Sequence, residues 1–216
     1  MIAFYRSTIG KKILMAVTGL IGVGFVLAHM IGNLQLFQGA EALNGYARLL
    51  HGPLAKLVWA QRLLLVGALV VHVLMAVQLT RRAQQARPVG YARREPQVST
   101  IASRTMRIGG IFLLAFIVFH ILHFTTLDID PAFVPLDAYG NVVKAFQHPW
   151  RVAVYVVAMI FLGLHLYHGI WSSTRTLGVA PPSPWPLRRK VTVILAVIVW
   201  VGFTIVPLAV FAGLVR

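Results

Sequence analysis

Residues 161–171 read FLGLHLYHGIW, an apolar run that carries His165 and His168 one helical turn apart. Neither lipid nor packed protein offers water to an imidazole, so a ring at this depth faces a bundle interior and finds its partner there. A hydrogen bond to a neighbouring helix satisfies one such histidine. A cofactor-binding role requires other helices to present histidines at matching depths, and the rest of the chain decides between the two.

The surrounding composition sets the class. Of 216 residues, 58% are apolar and 12% charged, and the mean hydropathy is +0.79. Several runs exceed the roughly 18 to 20 apolar residues that cross a hydrocarbon layer, which predicts an all-α membrane protein with five transmembrane helices. A net charge of +15 would suggest nucleic acid in a soluble protein. Here the basic residues flank apolar runs, where they set orientation and meet anionic membrane lipid, so no nucleic-acid partner is expected. The absence of cysteine from the sequence excludes disulfides, cysteine-held iron–sulfur clusters and covalently attached c-type haem within this chain.

We place the spans at about 13–37, 58–79, 108–127, 152–173 and 191–215, within a single transmembrane domain covering 1–216. The first follows Arg6, Lys11 and Lys12 and lacks the short apolar core and small-residue exit of a cleaved signal, so it is retained. The connection 38–57 contains Glu41 and a Gly-Pro pair and reads as a loop with a short interfacial helix. Between spans two and three, Arg81, Arg82, Arg87, Arg93, Arg94, Arg104 and Arg107 face one acid, Glu95, whereas Glu41, Asp128, Asp130 and Asp137 fall on the opposite side. The positive-inside rule then places the N-terminus in the cytoplasm and the C-terminus outside it, for a multi-pass membrane protein. Spans one to four each carry histidine and form the expected cofactor-binding bundle. Span five carries none and is expected at the periphery.

Counting residues at a helical rise of about 1.5 Å gives the depths. His72 and His165 both lie roughly 12 Å from the cytoplasmic edge, while His29, His120 and His123 lie roughly 26, 20 and 24 Å from it. Level histidines on different helices are what six-coordinate haem iron needs, because its axial ligands approach from opposite faces. The counts therefore predict two haem b groups stacked across the membrane. They leave a one-turn choice between His120 and His123, and between His165 and His168. Arg62 lies at the outer depth, where a guanidinium would meet haem propionates; His123 and His168 are further candidates for propionate or quinone contacts.

The segments FVLAHMIGN around His29, GAEALN after it, FIVFHILHF around His120 and HLYHGIWS around His165 resemble the cytochrome b subunit of succinate dehydrogenase, in the single-chain, five-helix, dihaem form shared with some fumarate reductases. The likeness covers nearly the whole chain. It implies that His29 and His120 hold the iron of an outer haem and His72 and His165 that of an inner one, favouring His120 over His123 and His165 over His168. It also implies a flavoprotein subunit with FAD and an iron–sulfur subunit, both docked on the cytoplasmic face. Electrons would then pass through this chain to a membrane quinone, menaquinone rather than ubiquinone; a higher oligomer of the complex is left open. Quinone reduction also consumes protons, and Glu41, just beyond the His29 helix, is the acid best placed to supply them on the outer side.

Other readings predict other patterns. A cytochrome b of a hydrogenase or formate dehydrogenase distributes its histidines differently among helices, and a bc-type cytochrome b places two ligands on each of two helices. A di-metal membrane enzyme would gather histidines into boxes at the membrane surface. A haem-free anchor or transporter would bind no haem at all.

Overall fold

The computed structural model describes residues 2–86, 100–179 and 186–216, with side chains from 4 and from 189 in the first and last segments. Arg87, Arg93, Arg94 and Glu95 of the basic connection lie outside the described residues, as does most of the Pro-rich linker before span five.

The chain is helical throughout its ordered elements: α1 (Ile2–Arg6), α2 (Thr8–Leu34), α3 (Ala40–His51), α4 (Ala55–Gln85), α5 (Ile101–Phe124), α6 (Ala138–Phe146), α7 (Pro149–Thr176) and α8 (Pro186–Phe211). Five helices, α2, α4, α5, α7 and α8, are long and apolar enough to cross a membrane. This is an all-α membrane protein.

Local chemistry fixes where the helices begin and end. Ser7 caps α2 by accepting from the Gly10 amide at 2.9 Å, and Thr100 and Ser103 form a reciprocal capping box on α5. α5 stops at Phe124, three residues before the apolar run ends, and Leu127 then takes a positive φ of 62°. α2 begins before the apolar run and draws Lys11 inside, only 3% exposed. Lys11 is held there by Gln78 on α4 and by the Tyr5 ring 4.0 Å away.

The packing order positions everything else. α2 and α7 are central: α4 packs on α2, α5 packs on α7, and α8 packs on α7 and α2. α8, expected at the periphery, instead packs closely along α7 and α2 and is the most buried of the five long helices. Its Phe203 ring lies 5.7 Å from that of His29, and Gly202 leaves the space taken by the Met30 thioether, where any Cβ would collide.

One end of the bundle is capped by protein. The expected interfacial helix is α3, and it packs against α6, a helix in the connection between spans three and four. Asp137 caps α6 through the Gly140 amide at 3.1 Å and accepts from Asn44 at 2.9 Å, while Asn44 in turn accepts from the Tyr139 amide at 2.9 Å. The opposite end is tied by Arg82 of α4, which donates to the Arg6 carbonyl at 2.8 Å.

Candidate cofactor-binding histidine pairs

Each helix carries its histidine to one of two levels. The His29 and His120 ring centroids are 5.7 Å apart, and those of His72 and His165 are 6.1 Å apart. An imidazole nitrogen binds a transition metal at about 2.0 Å, so an iron gripped from both sides holds two ring centroids about 6 Å apart. Both pairs meet that requirement. Interplanar angles of 76° and 53° are no obstacle, because both ring planes can contain the shared axis at any rotation about it.

The pairing crosses the packing order. His29 of α2 meets His120 of α5, and His72 of α4 meets His165 of α7, yet neither α2 with α5 nor α4 with α7 is among the closely packed helix pairs. The imidazoles reach across the wider spaces, where a flat macrocycle would stand. Gly22, on the His29 face of α2, and Gly169, one turn beyond His165, would each meet nothing within 4 Å if a Cβ were added. The levels are well separated: Gly19, which faces His72, is ten residues from His29 on one helix, or about 15 Å.

Surrounding groups orient the rings. His72 places Nδ1 3.0 Å from the Met15 carbonyl, which can only accept, so Nδ1 carries the proton and Nε2 is left with its lone pair. Gly19 permits this approach, since a Cβ there would lie 3.1 Å from His72 Cε1. His120 Nδ1 lies 3.2 Å from the Tyr155 hydroxyl, and His123 Nδ1 lies 3.0 Å from the same oxygen. His165 keeps a buried Nδ1 with no hydrogen-bond partner among the described residues.

The remaining candidates fall around these pairs. The ring meeting His29 is that of His120; His123 is fully buried one turn on, stacked 5.3 Å from Phe133 and tilted against Phe124 at 4.3 Å. His168 lies one turn beyond His165 and is partly buried. Arg62 is partly buried with its guanidinium 5.1 Å from the Trp59 ring. Glu41 stands exposed in the first turn of α3, where a helix N-terminus favours a carboxylate.

Two features escaped the sequence reading. One is Tyr155, whose signal was available: a phenol within VAVYVVAMI needs a polar partner at that depth. The other is the Asp130–Arg151 ion pair at 2.7 Å, with side chains 14% and 10% exposed, which ties the loop after α5 to the first turn of α7. Among the described residues no three His, Asp or Glu side chains converge; the histidines of the spans meet in twos.

A membrane bundle presenting paired histidines at two levels defines the class of a transmembrane b-type cytochrome. Residues 83–206 match the succinate dehydrogenase/fumarate reductase transmembrane subunit family, and the chain belongs to it. It is also similar to the succinate dehydrogenase cytochrome b558 subunit of Bacillus subtilis (strain 168), at 25% identity over 198 residues covering 90% of this chain and 91% of that protein. No solved structure matches the chain significantly.

Proposed function

We propose that this chain is the dihaem cytochrome b anchor of a bacterial succinate:quinone oxidoreductase, carrying electrons from an iron–sulfur subunit to a membrane quinone. The observation that carries the reading is the pair of cross-helix histidine couples, 5.7 and 6.1 Å between rings, set at two depths. His29 and His120 hold the outer haem, and His72 and His165 the inner one. When bound, haem iron supplies one-electron transfer between donor and quinone.

The chain's own groups do the positioning. The Met15 carbonyl fixes the His72 tautomer, and Tyr155 meets His120. Arg62, His123 and His168 are assigned to propionate or quinone contacts, and Glu41 to proton delivery to the quinone from the outer side. The basic N-terminal end faces the cytoplasm, where the flavoprotein with its FAD and the iron–sulfur subunit dock, and menaquinone is the expected acceptor.

Haem content of the purified chain, read as a pyridine haemochrome, tests the reading directly. Two haems per chain are expected, with His29→Ala or His120→Ala losing the outer and His72→Ala or His165→Ala the inner. A variant at any of the four that keeps both low-spin spectra contradicts the pairing. Glu41→Gln should keep both haems and slow quinone reduction; unchanged reduction removes Glu41 from the mechanism.

A further inference from the structure

Tyr155 sits on α7, ten residues and about 15 Å from His165, at the level of the outer couple. It is 7% exposed and boxed by the rings of Phe116 at 5.0 Å and Phe146 at 4.9 Å, with Phe119 and Phe124 about it. None of these rings offers a conventional hydrogen-bond acceptor. The hydroxyl reaches two groups, Nδ1 of His120 at 3.2 Å and Nδ1 of His123 at 3.0 Å.

Proton accounting assigns the direction of both bonds. A phenol has one proton to give and lone pairs to receive, and a neutral imidazole has one N–H. If His120 presents Nε2 to iron, its proton is on Nδ1, and Tyr155 Oη accepts it. The Tyr155 proton is then free for the lone pair of His123 Nδ1, which leaves the His123 proton on Nε2. Each bond polarises the next, so a Tyr155 that donates to His123 is a better acceptor for His120.

We infer that Tyr155 is a positioning residue for the outer haem: it fixes the orientation and tautomer of His120 and, backed by His123, sets how electron-rich that ligand is. The inference rests on the proposed haem ligation. An imidazole whose N–H is hydrogen-bonded is a more basic ligand and favours the oxidised metal. Removing the acceptor therefore raises the reduction potential of the outer haem. Beside its proposed propionate or quinone contact, His123 gains through Nδ1 a second role in this arrangement: it supports the ligand's partner without being the ligand.

The test is potentiometric titration of the purified complex, followed optically at each haem. In Tyr155→Phe both haems stay bound, and the one lost in His29→Ala titrates at a higher potential. Its equilibrium shifts toward the reduced form by up to about tenfold, equivalent to 59 mV for one electron, while the inner haem is unmoved. His123→Gln keeps both haems and shifts the same potential in the same direction by less. Should Tyr155→Phe fail to assemble, 2,3-difluorotyrosine placed at 155 retains the shape and weakens the acceptor, and the outer potential again rises. Unchanged potentials in these variants, a shift confined to the inner haem, or loss of the outer haem in His123→Gln overturns the inference. A wild-type complex without two haems overturns the proposed function itself, so the two failures are told apart.

Discussion

At the residue scale, the histidine couples depend on what the neighbouring positions leave out. Gly19 lies so close to His72 that a Cβ would sit 3.1 Å from the ring. An alanine there forces a shift of a few tenths of an ångström, whereas the branched end of a leucine occupies the ring's own space. On the proposed ligation, Gly19→Leu should therefore cost the haem assigned to His72 and His165 while sparing the one assigned to His29 and His120, checked by the haem count and by which low-spin signal disappears. The Asp130–Arg151 pair yields a pH dependence. The hydrogen bond from Arg151 is the main influence holding the Asp130 carboxyl below its ordinary value of 3.8, opposed by partial burial. A depressed carboxylate stabilises the fold above its unfolded pKa and loses that contribution as pH falls through the folded value. Thermal stability of the purified chain should be insensitive to this pair from about pH 8 to 5 and decline below about pH 4, and Asp130→Asn should abolish that portion of the decline.

At the scale of elements, the α3–α6 cap is the feature whose stability can be dissected. Gly39 precedes α3 at φ 100°, ψ 178°, a region open essentially to glycine, and nothing lies within 4 Å of a Cβ there. Gly39→Ala should destabilise by about 1 to 3 kcal/mol through backbone strain alone, measured by chemical denaturation in detergent. Asn44 bonds both the Asp137 carboxylate and the Tyr139 amide. Asn44→Ala should lower stability by about 1 to 3 kcal/mol and loosen α3 from α6, visible as faster hydrogen exchange at the Tyr139 amide. This also gives GAEALN a physical meaning: its glycine turns the chain and its asparagine pins the helix that follows.

At the scale of the whole molecule, orientation and packing are separable questions. Because the sequence has no cysteine, single replacements report sidedness cleanly. On the proposed topology Ala132→Cys, exposed in the loop between α5 and α6, should react with an impermeant maleimide on intact cells, and Arg81→Cys, exposed at the opposite end, only after permeabilisation; the reverse pattern would invert that topology. The number of long helices was legible in the sequence, because the cost of unpaired backbone in lipid leaves uninterrupted apolar runs few other structures to adopt. Depth was legible to within a helical turn, since helical rise is constant and converts residue counts into levels: the counts put His29 level with His120 or His123, and the rings that approach are His29 with His120 and His72 with His165. Azimuth was not legible. Two histidines one turn apart differ by only about 5 Å in depth and lie nearly on one face, and only the packing of α5 on α7 and of α4 on α2 turned His120 toward His29 and buried His123 against Tyr155. Nor could spacing reveal the folded cap, the Met15 carbonyl beneath His72 or the phenol between two imidazoles. These contacts join residues dozens of positions apart, and their geometry follows from how helix surfaces interlock, which a one-dimensional pattern does not encode.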